Sequence, residues 1–130
     1  MVSLLIVSHS AQLAAGVKEF AEQVAGGKVR IAAAGGAADG SLGTSVDHIQ
    51  ECLQQIASPN GILVLVDLGS AVLSVEMAIE ALGAAGEVQI SDAPLVEGAY
   101  LAAIEASADA SLEETAAAAL QARAMVKVHR

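Results

Sequence analysis

Apolar residues form four short runs along the chain, and turn residues follow each run. The runs occupy positions 2–7, interrupted only by Ser3, and then positions 29–33, 62–66 and 88–90. Short runs that are rich in β-branched residues are typical of strands buried on both faces of a parallel sheet. The sequence therefore predicts four buried strands.

Between and after these runs, apolar residues recur every three or four positions, which is the spacing of one face of a helix. This periodicity predicts five helices, in segments 13–24, 46–56, 71–82, 95–106 and 111–125. Gly26-Gly27 and Gly83 end the first and third of these stripes, and Ser111 with Glu114 gives the last segment a capping-box pattern.

Strand and helix alternate four times, which predicts an α/β fold in which a doubly wound, four-stranded parallel sheet carries helices on both faces. The commonest order for this count is 2-1-3-4. The length suits one domain that covers residues 1–130, without a linker or an internal repeat. Residues 126–128 alternate in polarity, so they either add an edge strand at the C-terminus or fray.

The predicted order places strands one and three side by side, with their connections leaving toward opposite faces. Ligands of such folds bind in the crevice at the carboxyl ends of these strands. His9 follows the first strand and Asp67 closes the third. A carboxylate that accepts a proton from one imidazole nitrogen leaves the other free as a nucleophile, as a phosphohistidine carrier requires. The alternative roles are a hydrogen-bonded strand-end histidine and an ordinary helix cap.

The loops at the same end of the sheet contain small residues that precede helices, where N–H groups and the helix dipole attract anions. They predict a phosphoryl-binding role for five residues: Ser10, Gly43, Thr44, Gly69 and Ser70. The alternative is that they serve only as turns and helix caps. Segments 8–16, 34–46, 67–75 and 91–99 contain neither Lys nor Arg, so the pattern of a nucleotide-binding kinase is missing.

Composition excludes several other classes. Fifteen acidic and six basic residues give a net charge of −9, which disfavours nucleic acid as a partner. The charge suits either a protein partner with a basic face or solubility alone. Cys52 is the lone cysteine, and its apolar neighbours predict a small core residue. We expect no metal site, because His48 and His129 have no ligand spacing. We also expect no membrane span and a cytoplasmic location.

Hydrolysis by a Ser-His-Asp arrangement stays open as a lesser alternative. Either Ser10 or Ser70 could supply the nucleophile beside His9 and Asp67. The chain lacks the GxSxG pattern of a nucleophile elbow, and Ser10 is adjacent to His9 in sequence, which places it poorly for attack.

Four motifs in order carry a family resemblance: VSHS at 7–10, GTS at 43–45, DLGSA at 67–71 and PLVEGA at 94–99. Together they resemble the phosphotransfer subunits of phosphoenolpyruvate-dependent dihydroxyacetone kinases, which are related to mannose-type enzyme IIA domains. The resemblance implies a phosphotransferase component in which His9 carries the phosphoryl group and Asp67 lies beside it. It also implies a homodimer.

By the same resemblance, the phosphocarrier protein HPr donates the phosphoryl group to His9. His9 then passes it to Mg-ADP bound on a separate nucleotide-binding subunit, so this chain binds no cofactor of its own. Because the chain ends at Arg130 without an HPr-like domain, we expect these partners to be separate proteins.

Two other functions stay open. The chain could be the enzyme IIA of a mannose-type sugar transporter, or a regulatory module whose docking depends on phosphorylation. The segment DLGSAVLSVEMA lacks the bulky aromatic and proline residues usual in mannose-type domains, which favours the dihydroxyacetone branch. The sequence is compatible with phosphorylation of either ring nitrogen of His9 and assigns no site role to Glu97.

Overall fold

The computed structural model describes residues 1–83 and 86–129, and within them four strands alternate with helices as predicted. The strands are β1 (Ser3–Ser8), β2 (Ile31–Gly35), β3 (Ile62–Val66) and β4 (Val88–Ile90). The helices are α1 (Ala11–Val24), α2 (Val46–Gln55), α3 (Gly69–Leu82), α4 (Leu95–Ser107) and α5 (Leu112–Leu120), and a 3₁₀ turn at Gln121–Ala124 follows α5. Every helix in the described ranges is too short or too polar to span a bilayer.

All strands of the sheet are parallel, and their order is β2-β1-β3-β4, which confirms the predicted arrangement. In the register, Ser8 pairs with Gly35 on one side of β1, and Val7 pairs with Val66 on the other. The carboxyl ends of the three neighbouring strands therefore lie at one level, so the residues that follow β1 and β3 become neighbours.

Alternate residues of β1 serve two separate apolar layers. Leu4 and Ile6 pack with α1, α4 and α5 on one face, whereas Leu5 and Val7 pack with α2 and α3 on the other. Buried Cys52 belongs to the second layer, and burial raises the pKa of its thiol. Because α1 and α3 leave β1 and β3 toward opposite faces, a crevice opens between the carboxyl ends of these two strands.

The close approach of β2 to the start of α1 requires a glycine. A Cβ atom at Gly35 would lie 2.5 Å from the carbonyl oxygen of Ser10 and 2.8 Å from the Cα atom of Ala11. No side chain fits at such distances, so Gly35 allows the strand end to touch the helix start that follows His9.

Three predicted segments differ from the structure. The second strand, predicted over 29–33, is Ile31–Gly35. The helix predicted over 111–125 is α-helical only to Leu120, beyond which the backbone tightens into the 3₁₀ turn; its predicted capping box is present. Residues 126–128 form no strand in the described tail. Instead, Lys127 makes a 2.9 Å ion pair with Glu97 on α4, which holds this segment against a helix and away from the pairing that a fifth strand requires.

Candidate active site

His9 and Asp67 meet at the crevice, although 58 positions separate them in the chain. His9 is the first residue after β1, and Asp67 is the first residue after β3. The Nδ1 atom of His9 lies 3.0 Å from Oδ1 of Asp67. The His9 side chain is 27% exposed and that of Asp67 is 13% exposed, so the ring faces solvent while the carboxylate lies behind it.

Four donors surround the Asp67 carboxylate. The Ser8 hydroxyl and the His9 backbone N–H each donate to Oδ2 at 2.9 Å. Oδ1 accepts from the Leu68 backbone N–H at 2.7 Å and faces the His9 ring. Partial burial raises the pKa of this carboxyl, but the hydrogen bonds outweigh it and hold the pKa below its ordinary value. Asp67 is therefore ionised at neutral pH and can accept a hydrogen bond from the ring.

The neighbours of the imidazole define which nitrogen can react. An ionised carboxylate beside Nδ1 favours the tautomer that carries the hydrogen on Nδ1. In that tautomer Nε2 has a free lone pair, and the Ser70 hydroxyl, 2.9 Å away, donates to it. In this arrangement Nε2 is the ring nitrogen with the available lone pair, a choice that the sequence left open.

Gly69 and Ser70 form the first turn of α3, in front of the ring. Leu68 occupies the N-cap position without a capping side chain, so Asp67 is not the ordinary helix cap considered as an alternative. Gly69 and Ser70 are both exposed. Their backbone N–H groups lie at the positive end of the helix dipole, where an anion is stabilised. The phosphoryl-binding role of Gly69 and Ser70 stays a prediction that this placement suits.

The other predicted phosphoryl-binding residues lie around the His9 backbone. Ser10 caps α1, and its own N–H donates to the Ser8 hydroxyl at 3.0 Å. Gly43 donates its N–H to the His9 carbonyl at 2.9 Å, and the Thr44 hydroxyl lies 2.7 Å from that of Ser74 on α3. These contacts fix the loop beside the ring. They leave the phosphoryl-binding roles of Ser10, Gly43 and Thr44 as predictions.

Sequence reasoning missed two residues at this edge of the sheet. The first is Ser8, whose link to Asp67 depends on the strand register, which no local pattern encodes. Arg123, in the 3₁₀ turn, borders a groove of about 460 Å³ together with Asp67 and Gly69, and it makes a 3.5 Å ion pair with Asp92. No sequence signal places that turn beside the crevice.

His48 and His129 lie elsewhere. His48 is exposed on α2, and His129 is exposed in the terminal tail. No group of three or more metal-ligating side chains forms within residues 1–83 and 86–129.

The fold and the site together define a doubly wound α/β domain in which an ionised aspartate lies behind a partly exposed histidine, at the carboxyl ends of β1 and β3. This class includes the family described as PTS system fructose IIA component, whose profile matches residues 3–116. The match covers most of the sequence, so the chain belongs to this family.

The chain is also similar to named subunits of dihydroxyacetone kinases. The chain is 37% identical over 115 residues to "PEP-dependent dihydroxyacetone kinase 2, phosphoryl donor subunit DhaM" of Listeria innocua, covering 87% of this chain and 92% of the relative. It is 39% identical over 119 residues to the phosphoryl donor subunit DhaM of Escherichia coli K12, covering 88% of this chain but only 25% of the relative. The chain thus spans about a quarter of the longer relatives.

Solved structures agree on the fold. The crystal structure of protein EF1359, described as of unknown function, superposes with a TM-score of 0.81 at 38% identity and covers 92% of this chain and 93% of its own. A phosphotransferase system component EIIA from Streptococcus agalactiae has a TM-score of 0.71 at 18% identity, with 98% and 97% covered. At that identity the second likeness supports the fold alone.

Proposed function

We propose that this chain is a phosphoryl carrier in which Nε2 of His9 receives and releases the phosphoryl group. The observation that carries the proposal is the arrangement of the ring, with Nδ1 against an ionised carboxylate and Nε2 toward the open side of the crevice. A carrier needs a nucleophile that partner proteins can reach and that also serves as a leaving group. The histidine here combines both properties.

In the receiving step, the Nε2 lone pair attacks phosphorus in line with the donor's leaving nitrogen. The bond from phosphorus to Nε2 forms as the bond to the donor breaks, and the electron pair of that bond returns to the donor. The ring keeps its hydrogen on Nδ1 and becomes an imidazolium-like phosphohistidine, whose positive charge Asp67 stabilises. Before attack, the Ser70 hydroxyl must turn away from Nε2, and it can then donate to a phosphoryl oxygen.

The names of the relatives and the charge of the loops around the crevice support the proposed partners. We propose that the chain is the phosphoryl donor subunit of a phosphoenolpyruvate-dependent dihydroxyacetone kinase, which is the role that the names of its relatives give for those proteins. We also propose that it acts in the cytoplasm. HPr donates to His9, and Mg-ADP on the nucleotide-binding subunit accepts. The four loop segments around the crevice contain no Lys or Arg, and Arg123, which borders the groove beside Asp67, is paired with Asp92. We therefore propose that the partner brings further cations to neutralise the phosphoryl charge.

Exposed leucines around the site support a protein partner. Leu42, Leu68 and Leu73 are 79%, 60% and 66% exposed. Each is next to, or one helical turn from, a residue that contacts His9. Apolar side chains around a polar centre are typical of a surface that a protein covers during transfer.

A labelling and discharge experiment tests this relay. The chain is labelled from radioactive phosphoenolpyruvate through enzyme I and HPr, purified, and mixed with Mg-ADP in the presence or absence of the nucleotide-binding subunit. We expect label to appear in ATP only when that subunit is present. The free chain should keep its label, because its strand-end loops lack the cations that a nucleotide site needs.

The same experiment distinguishes the alternatives. Discharge to a mannose-type enzyme IIB, with no transfer to ADP, would assign the chain to sugar transport. Label that no acceptor removes would indicate a regulatory module. Absence of label from HPr would contradict the carrier proposal itself, including the assignment of His9.

We further propose that the chain forms a homodimer through an apolar surface on α1 and α4. Phe20 and Tyr100 are its two aromatic residues, and their rings stack there with centroids 5.9 Å apart. With Val96 and Met125 they line a cavity of about 370 Å³, and Phe20, Val96 and Met125 are each nearly half exposed. Aromatic anchors in an exposed apolar cavity are typical of stable interfaces.

Sedimentation equilibrium tests the dimer. We expect Phe20→Ser to weaken self-association at least about tenfold, because it removes an aromatic anchor from the proposed interface. Met77→Ser, which removes a similarly exposed apolar side chain on α3, should leave the dissociation constant unchanged. Equal dissociation constants for Phe20→Ser and the unaltered chain would place the interface elsewhere, and a monomeric unaltered chain would reject the dimer.

A further inference from the structure

Ser8, the last residue of β1, is completely buried. Its hydroxyl oxygen accepts the Ser10 N–H at 3.0 Å, and the hydroxyl donates to Oδ2 of Asp67 at 2.9 Å. We infer that Ser8 is a positioning residue: it fixes the Asp67 carboxylate and thereby holds the His9 ring in the tautomer that leaves Nε2 free. The rate readout of this inference rests on the proposed function, whereas its tautomer readout does not.

The contacts of Ser8 fix the direction of its hydroxyl. A serine hydroxyl has one proton to donate and two lone pairs that can accept. The Ser10 N–H occupies a lone pair, so the proton is available to the ionised carboxylate. Ser8 therefore acts as a donor to Asp67 and at the same time connects that carboxylate to the capped start of α1.

The Ser8 contact restricts the orientation of the Asp67 carboxylate, together with two backbone N–H groups. Rotation of an aspartate about its terminal torsion is soft, because the energy minima of that torsion are broad. Ser8 and the His9 N–H hold Oδ2 from the β1 side, while Oδ1 accepts from the Leu68 N–H and faces the ring. Without the Ser8 donor, one anchor remains on Oδ2, and the partly buried Ser10 N–H loses its acceptor. The contact from Oδ1 to Nδ1 then loosens, and the competing tautomer with hydrogen on Nε2 gains population.

Ser91 offers a matched control within the same chain. It follows β4 at the same end of the sheet, is 5% exposed, and its hydroxyl accepts the N–H of Ala93, two residues later, at 3.1 Å. Ser8 and Ser91 thus share their burial and their local backbone contact. Of these two serines, only Ser8 donates its hydroxyl to a carboxylate. Comparison of Ser8→Ala with Ser91→Ala isolates the link to Asp67.

The tautomer is measured by long-range ¹H–¹⁵N correlation spectra of the chain labelled at its histidines, with His48 and His129 as exposed internal references. We expect the Nδ1–H form of His9 to dominate in the unaltered chain and in Ser91→Ala. In Ser8→Ala the Nε2–H form should increase severalfold, with the reference signals unchanged. An unchanged His9 spectrum in folded Ser8→Ala would overturn the inference, even if phosphotransfer from HPr had never been observed.

A double-mutant cycle of labelling rates tests whether Ser8 acts through Asp67. We expect Ser8→Ala to slow labelling by HPr about tenfold, the equivalent of one hydrogen bond to a charged group. In the Asp67→Ala background, the same change should cost less than about twofold, because coupled residues are not additive. Equal losses in both backgrounds would show a merely structural role and contradict the inference. If no chain accepts label, the proposed function fails, and the spectra alone decide the role of Ser8.

Discussion

His9→Ala should abolish labelling from phosphoenolpyruvate, enzyme I and HPr. The Nε2 lone pair is the nucleophile that the site presents, with Asp67 behind the ring and the open crevice in front of it. Alanine removes the atom that bonds to phosphorus, so no residual transfer through the same route can occur. Acid-quenched gels and mass spectrometry of the intact chain measure the loss of label.

The control for this prediction is His48→Ala. His48 is exposed at the start of α2, and its imidazole makes no side-chain hydrogen bond within residues 1–83 and 86–129. Its removal should leave labelling unchanged. Thermal unfolding of both variants checks that the chain remains folded. Full labelling of His9→Ala, or loss of label in His48→Ala, would move the phosphorylated residue elsewhere.

The strand order and the meeting of His9 with Asp67 were predictable because they follow from topology. Four apolar runs in alternation with helices favour one sheet order, and that order brings the ends of β1 and β3 together. The sequence assigned the second strand to 29–33, two residues early. Pairing of Leu4 with Ile31 fixes the observed start, and this contact across the sheet is invisible in a local pattern.

The side-chain contacts within the site depend on side-chain orientations that a local sequence pattern does not determine. The sequence treats Ser10, Gly43 and Thr44 like Ser70, as small residues that precede a helix. Of these four, only Ser70 contacts the His9 ring in the structure, through its hydroxyl. The choice of Nε2 over Nδ1 likewise needed coordinates, because it depends on which ring nitrogen faces the carboxylate. The tail differed for a similar reason, since the ion pair between Lys127 and Glu97 is a tertiary contact.

Asp67→Asn should slow the receiving step on the order of a hundredfold, because an amide neither carries the charge nor enforces the tautomer that a buried carboxylate imposes on a histidine. Asparagine keeps the size of the side chain. However, the NH₂ group of asparagine must take the place of one carboxylate oxygen. In the place of Oδ2 it faces the His9 backbone N–H, which is also a donor, and in the place of Oδ1 it faces Nδ1 of the ring. In the second arrangement Nδ1 accepts, and the hydrogen moves to Nε2, where it blocks attack.

Asp67→Asn should slow the receiving step more than the discharge step. Positive charge develops on the ring as the bond from Nε2 to phosphorus forms, so loss of the carboxylate raises the free energy of the transition state and of phosphohistidine. Discharge starts from that destabilised intermediate and therefore faces a smaller increase in barrier. Rapid-quench measurements of labelling by HPr and of transfer to Mg-ADP on the nucleotide-binding subunit should show a larger loss in the first step than in the second.

Asp47→Asn is the matched control, because it removes the same charge from the first turn of α2, where the side chain is exposed. Both rates should stay near those of the unaltered chain. Equal slowing of the two steps by Asp67→Asn would mean that Asp67 only orients the ring without stabilising its charge. Unaltered rates in both steps would mean that the 3.0 Å contact between His9 and Asp67 has no part in phosphotransfer.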